Sequence, residues 1–313
     1  MTRKIWAPPS ETNGQVPQGR RQLCLVGTKG NVITHLFQRE CRRANVLHST
    51  VYVDSNKRLA MTLVNMLMHR DLSNSWLLIS GLLRKTGSVD LSAAEVFGEE
   101  TLDGLKRQGA GLYLVCGCNK ILGTKHFALG NFVNYHNSLL PAHGGVSSIN
   151  WALYQDDPVG FTFHTMTPEI DVGTIICQRA VPVPERADVY AIGLEVHHAA
   201  ARCVGRLLQL LADGSTEEHA ECQQFAASYH SRKDTVAVEI IDEDDEETVR
   251  RKIRCFGTVR LTHRGKLTRV RRARVWRFGR IRAIAGLKRL FQTKRGVTIA
   301  APYVINVALD QRR

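Results

Sequence analysis

From Leu23 to His136 the chain repeats one pattern: a short apolar run with strand character, then apolar residues at helical spacing. Leu23–Val26 ends at Gly27, and Ile33, Leu36, Phe37 and Cys41 follow on one helical face. Thr50–Val53 is β-branched, and Leu59, Ala60, Leu63, Val64, Leu67 and Met68 mark a second amphipathic helix. Leu77–Ser80 reads as a further buried strand, and a third helix is expected between Ala93 and Arg107. Leu112–Gly117 and Phe132–His136 read as two more strands. Parallel neighbours need a long crossover, usually a helix, so this alternation predicts an α/β fold with a mostly parallel, doubly wound sheet.

After a loop at 137–146, residues 147–154 suit a short helix, and Phe161–Met166 and Thr174–Val181 a pair of strands. Val189, Ile192, Val196, Ala199, Cys203, Leu207 and Leu210 advance in steps of three and four, which predicts one helix capped by Asp188 and ended by Gly214. Residues 215–248 are polar and close on six consecutive acids, Asp242–Glu247, placed to cap a helix over Thr248–Phe256. Thr258–Ala273 alternates around a turn at 263–266 as a hairpin does, and Val297–Val307 suits a closing strand pair around Pro302. The expected organisation is a loose leader over 1–20, a catalytic domain over 21–214, a linker over 215–248, and a small basic β-rich domain over 249–313.

Charge is distributed unevenly. The chain has 43 basic and 29 acidic side chains, a net +14, yet residues 250–313 hold 20 Lys and Arg against the single acid Asp310. That segment suits an anionic partner, whether nucleic acid, an acidic protein or a membrane surface; equally, the excess aids solubility or pairs with the acidic remainder. No apolar stretch approaches the length of a membrane span, and the first 20 residues lack the apolar core of a signal peptide. The eight scattered cysteines do not suggest a disulfide scaffold. A cytoplasmic protein is expected.

The chemistry concentrates between Asn131 and Cys177. Asn134 and His136 stand one residue apart at the end of an expected strand, so both face the same side. Ser138–Pro141 follows, then Gly144 and Gly145, and Asp171 comes 35 residues after His136 with Gly173 behind it. The carboxyl ends of strands are where doubly wound sheets bind ligands. An amide that donates to a developing oxyanion, an imidazole that shuttles a proton and a carboxylate that orients the imidazole together suit acyl transfer. Taken singly, an Asn-x-His is commonly a satisfied polar pair, and an Asp before x-Gly commonly an Asx turn.

The ordered set Asn134-x-His136, Ser138–Pro141, Gly144, Gly160–His164 and Asp171-x-Gly173 resembles the folate-dependent formyltransferases, a family that includes enzymes acting on methionyl-tRNA, glycinamide ribonucleotide and amino sugars. The resemblance is clear over 131–213, weaker over 22–130, and extends to the basic segment, which is similar to the small C-terminal domain of the tRNA enzyme. It implies a Rossmann-like formyltransferase fold, 10-formyltetrahydrofolate as formyl donor, a primary amine as acceptor, and Asn134, His136 and Asp171 as the catalytic trio. It also implies that the pterin is gripped largely by backbone in two loops, here Asn119, Lys120, Ile121 and Leu122, and Pro168, Glu169 and Ile170. Ser138, His143, Gly144 and His164 fall beside the substrate or behind the trio. His164 is either a supporting residue or a plain core histidine, and His143 either meets the acceptor or faces solvent.

The Cys116-x-Cys118 spacing is wrong for a zinc knuckle, and no metal is expected. Gly27–Gly30 matches neither dinucleotide nor P-loop glycine patterns and reads as a strand-to-helix turn that touches the acceptor. Where the tRNA enzyme usually carries Gly-Thr-Pro, this chain has Gly27-Thr28-Lys29, and its loop after Pro141 also departs from the tRNA pattern. An amino sugar on a nucleotide is therefore the expected acceptor. Charged initiator tRNA is the alternative, and hydrolysis of the same folate a further one.

Overall fold

The computed structural model describes residues 23–53, 66, 71–83, 89–90, 111–118, 121–184, 189–217, 225–241, 244–256, 259–263, 266–276, 290–293, 296–300 and 304–309. The elements begin with β1 (Leu23–Gly27), α1 (Val32–Arg43), β2 (His48–Tyr52), α2 (Leu72–Leu83), β3 (Val89–Asp90), β4 (Leu112–Val115), α3 (Thr124–Phe127) and β5 (Asn131–His136). Next come β6 (Gly144–Gly145), α4 (Ser148–Tyr154), β7 (Gly160–Thr165), β8 (Ile175–Ala180), α5 (Val189–Arg202), α6 (Val204–Asp213) and β9 (Tyr229–His230). The chain closes with α7 (Arg232–Ala237), β10 (Glu239–Ile240), α8 (Glu246–Phe256), β11 (Val259–His263), β12 (Lys266–Trp276), β13 (Leu290–Thr293), β14 (Gly296–Ala300) and β15 (Val304–Leu309).

Two compact units result. The first runs as far as Gly144 and adds Val159–Val183 and Gly193–Ser228; the second takes Gly145–Pro158, Pro184–Ile192 and the chain from Tyr229. The first unit holds a seven-stranded sheet in the order β3-β2-β1-β4-β5-β7-β8. Strands β3 to β5 pair in parallel, whereas β7 and β8 join antiparallel. This is the expected mixed, mostly parallel α/β arrangement. In β1 and β4 every residue is buried, as a sheet covered on both faces requires.

The antiparallel half is the part that positions the site. Asn134 of β5 lies opposite His164 of β7, and His136 opposite Thr162. The register continues from Thr162 to Gln178 of β8, with a shift after Phe163. Side chains alternate across a strand, so Tyr135, Phe161 and Phe163 point the other way from these polar residues. On that side Phe37 of α1 meets Tyr135 at 5.3 Å and Phe163 edge-on at 6.1 Å between ring centres. Phe37 and Phe163 are fully buried, and each such ring contributes about 1.5–3 kcal/mol. Behind Tyr135, its hydroxyl is hydrogen-bonded to His197 Nδ1 at 2.6 Å.

The second unit carries a six-stranded sheet, β10-β11-β12-β15-β14-β13. Its β11–β12 hairpin pairs His263 with Lys266, and β14 pairs antiparallel with β15, as the alternation and turn residues predict. The acidic run caps α8, with the Thr248 N–H donating to Asp245 Oδ1 at 2.7 Å. Lys252 is held between Asp244 and the Glu239 carbonyl. Trp151 of α4 stacks on His230 at 4.3 Å and meets Phe256 edge-on.

Two expectations are corrected. Leu77–Ser80 is not a strand but the middle of α2. A short apolar run does not distinguish a buried strand from a buried helix, and the deciding signal is Asp71, whose carboxylate accepts from the N–H of Asn74 in the first turn. The helix expected from Val189 to Leu210 is two helices, broken at Cys203, whose N–H is shared between the carbonyls of Ala199 and Ala200. Gly214 does end the second, at φ 65°. The leader, the helix around Leu59–Met68 apart from the buried, helical Met66, the helix of 93–107 and the Asp188 cap lie outside the described residues.

Replacing Asp71 by Ala should cost about 1 kcal/mol of stability and lower the melting temperature by about 2–4 °C, read by circular dichroism. An unchanged melting temperature would remove Asp71 as the cap of α2.

Candidate active site

The site is built at the carboxyl end of β5. Asn134 Nδ2 and His164 Nε2 are 3.1 Å apart, and His164 Nδ1 is 2.9 Å from the Thr165 carbonyl. A carbonyl only accepts, so Nδ1 of His164 carries the proton and Nε2 accepts from the Asn134 amide. Burial, and next the neighbouring His136, push the His164 pKa down from 6.5 to about 4, which keeps this acceptor neutral. The Asn134 amide is thus fixed by one N–H, and its second N–H remains for another oxygen.

His136 is oriented by the loop that follows it. Its Nε2 is 3.1 Å from the His143 carbonyl, again an acceptor, so Nε2 holds a proton. Nδ1 then faces Asp171, with Oδ1 at 3.5 Å. The same Oδ1 is 3.8 Å from His164 Nε2. Both separations are longer than an ordinary hydrogen bond. His136 and His164 are buried, and the Asp171 side chain is only 10% exposed.

Asp171 is drawn to the histidines by its own local geometry. It adopts φ 57°, which aspartate tolerates better than most residues. A Cβ built on Gly173 would lie 1.6 Å from the Thr165 carbonyl oxygen, so only glycine lets the loop close onto the end of β7. The Thr165 N–H donates to the Thr174 carbonyl and Thr165 Oγ1 accepts from the Thr174 N–H, which locks the closure. The Asp-x-Gly spacing therefore has a steric cause.

The loop from Ser138 to His143 is fixed from below. Thr162 Oγ1 donates to the Ser138 carbonyl at 2.7 Å and accepts from the Leu140 N–H at 3.1 Å and Gln178 Nε2 at 2.9 Å. Gln178 Nε2 also donates to the Leu140 carbonyl at 2.6 Å. Ser138 Oγ is 2.9 Å from the Ala142 carbonyl and 3.2 Å from that of His143. The His143 side chain is buried rather than solvent-facing, and its backbone sits at φ 56°. The Gly144 N–H donates to the Ser228 carbonyl, away from the trio. Thr162 and Gln178 escaped the sequence reading. Their signal is the period of two: Thr162 shares the face of His164, and Gln178 is a polar residue inside the buried run Ile176–Gln178.

Asn119 and Lys120 lie outside the described residues. Leu122 is buried in an apolar cluster against which Met166 also rests. Ile121, Ile170 and Val172 are exposed at 69%, 45% and 69%, with Pro168 and Glu169 exposed in the segment before Ile170. Cys116 is a buried thiol whose pKa burial pushes well up, and among the described residues no His, Cys, Asp and Glu group is arranged to hold a metal. None of the described helices is long and apolar enough to cross a membrane.

The family model described as formyl transferase matches residues 25–207. The chain is 41% identical to a methionyl-tRNA formyltransferase of Parabacteroides distasonis over 90 residues, 28% of each chain. It is 30% identical to a GDP-perosamine N-formyltransferase of Brucella melitensis over 102 residues, 32% of this chain and 38% of that one. These alignments thus span well under half of either relative. An N-formyltransferase from Helicobacter canadensis, solved with folinic acid and dTDP-3-aminofucose, shares the fold with TM-score 0.56 at 14% identity, over 93% of this chain and 100% of that one.

Two buried imidazoles set a pH dependence. Burial also lowers His197 to about 4. Both groups bind their proton less readily folded than unfolded, so their stabilisation is complete above about pH 6.5 and is lost as pH falls toward 4, by up to about 3 kcal/mol each. Urea unfolding should show stability falling between pH 7 and pH 4.5, and ring NMR titrations of both histidines should have midpoints below 5. Midpoints near 6.5 would contradict the burial of these two rings in their neutral form.

Proposed function

Because the chain belongs to the formyl transferase family, we propose that it is an N-formyltransferase that moves a formyl group from 10-formyltetrahydrofolate to a primary amine, an amino sugar carried on a nucleotide. The observation that carries this reading is the convergence of Asn134, His136, His164 and Asp171 within 3.1–3.8 Å contacts at the strand ends. Ile121 and Leu122 of one loop and Pro168, Glu169 and Ile170 of another would hold the folate, which would supply the formyl group as an activated amide.

The residues then divide the work. The second N–H of Asn134 donates to the formyl oxygen as negative charge develops there, an interaction stronger in the transition state than before it. His136, with Nε2 committed to the His143 carbonyl, takes the proton of the attacking amine at Nδ1 and returns it to the leaving nitrogen as the formyl carbon–nitrogen bond breaks. Asp171, facing Nδ1, balances the charge that this proton brings. His136 is buried and Asn134 and Asp171 are half-buried, which limits the water that can compete for the formyl carbon.

The amino-sugar acceptor is supported by the solved Helicobacter canadensis enzyme, whose bound dTDP-3-aminofucose is such a molecule, and by the departures of residues 27–29 and 142–147 from the tRNA pattern. A cytoplasmic location belongs to the same reading. Charged initiator tRNA is the second reading, favoured by the 41% identity to a methionyl-tRNA formyltransferase and by the basic segment 250–313.

Incubation with 10-formyltetrahydrofolate and a panel of nucleotide-linked amino sugars should yield an N-formyl product. Asn134→Ala, His136→Ala and Asp171→Ala should each lower turnover by about a hundredfold or more while remaining folded. Near-normal turnover would remove that residue from the mechanism. Formylation of charged initiator tRNA alone, with a steep fall as salt rises, would replace the sugar reading with the second.

A further inference from the structure

We propose that Thr162 is a positioning residue for His136, setting through the loop it anchors which ring nitrogen of His136 is offered to the reaction. The inference rests on the formyl-transfer reading for its effect on rate, though not for its effect on the ring.

The argument starts from hydrogen-bond directions. The Ser138 carbonyl accepts only, so the single proton of the Thr162 hydroxyl goes there. Its two lone pairs take the Leu140 N–H and Gln178 Nε2, and the hydroxyl is then fully used. Gln178 has its own direction fixed, because its Nε2 also donates to the Leu140 carbonyl. Thr162 and Gln178 are both buried, and neither group has water to fall back on. One hydroxyl therefore holds the backbone of Ser138 and Leu140 at once, from the strand position directly opposite His136.

What this anchors is the return of the loop. Ser138 Oγ donates into the paired carbonyls of Ala142 and His143, and the His143 carbonyl also accepts from His136 Nε2. With that carbonyl 3.1 Å from Nε2, against 3.5 Å from Nδ1 to Asp171 Oδ1, the proton of a neutral His136 is held on Nε2, and Nδ1 is turned toward Asp171. With the carbonyl displaced, the other tautomer becomes accessible, and Nδ1 then carries a proton and accepts none. Thr162 touches no reacting atom; it acts through Ser138, Leu140 and the His143 carbonyl. Valine has nearly the shape of threonine and lacks the hydroxyl, whereas serine keeps the hydroxyl.

The test uses the full chain with ¹⁵N-labelled histidine. Long-range ¹H–¹⁵N spectra at a pH where the ring is neutral should show wild-type and Thr162→Ser His136 protonated on Nε2, and Thr162→Val as a mixture of tautomers. Thr162→Val should lower kcat by about 10–100-fold with little change in either KM, and Thr162→Ser should restore most of it. A Thr162→Val protein whose His136 ring spectrum matches wild type overturns the proposal, whatever its activity. So does a wild-type ring protonated on Nδ1. If Thr162→Val fails to fold, Gln178→Met, which removes one donor to the same hydroxyl, is read by the same spectra. The ring spectra need no substrate, so absence of formyl transfer in the wild type would sink the functional reading and leave this inference to be decided separately.

Discussion

The antiparallel register of β5, β7 and β8 is the constraint on which the site depends. It sets His136, Thr162 and Gln178 in one cross-strand row and Asn134 opposite His164 in another. A slip by one residue would turn every one of these side chains to the aromatic side of the sheet and bring Tyr135 and Phe163 to the polar side. The cost of that slip is what keeps the register. Phe37, Tyr135, Phe161 and Phe163 pack as one aromatic group on the side away from the site, and burial there is incompatible with histidine and asparagine facing α1. The apolar face thus specifies the polar one, and the chemistry needs few stabilising contacts of its own.

The polar groups of the site are held by direction rather than by strength. Each ambiguous group is fixed by a backbone carbonyl that only accepts: Thr165 for His164, His143 for His136, Ser138 for Thr162 and Leu140 for Gln178. Such an arrangement pre-orients donors and acceptors before any ligand arrives, which is where electrostatic catalysis draws its advantage. The Asp171 loop adds the one carboxylate, and the close approach of Gly173 to Thr165 ties that loop to the strand carrying His164. Asp171 Oδ1 stands 3.5 Å from His136 Nδ1 and 3.8 Å from His164 Nε2, facing both imidazoles.

Much of this was legible in the sequence, for physical reasons. Period-two alternation placed Asn134 and His136 on one face, and the alternation of strand and helix signals gave the sheet. The Asp-x-Gly pair carried a steric requirement that only glycine meets. What alternation does not carry is partnership across strands. Nothing in Gly160–His164 alone says that Thr162 supports a loop 22 residues earlier, or that Gln178 supports Thr162. Leu77–Ser80 misled because an apolar run of four has no period, and Asp71 six residues before it held the answer. The break at Cys203 lay hidden because apolar spacing continues across it.

The central claim is that this cluster transfers a formyl group to an amine rather than to water. The most direct measurement follows tetrahydrofolate release and acceptor mass together, with and without a nucleotide-linked amino sugar. The account predicts that tetrahydrofolate appears in equal amount with an acceptor heavier by one CO unit, and that release nearly stops when the amine is withheld. Release at the same rate without an amine, accompanied by free formate, would contradict it.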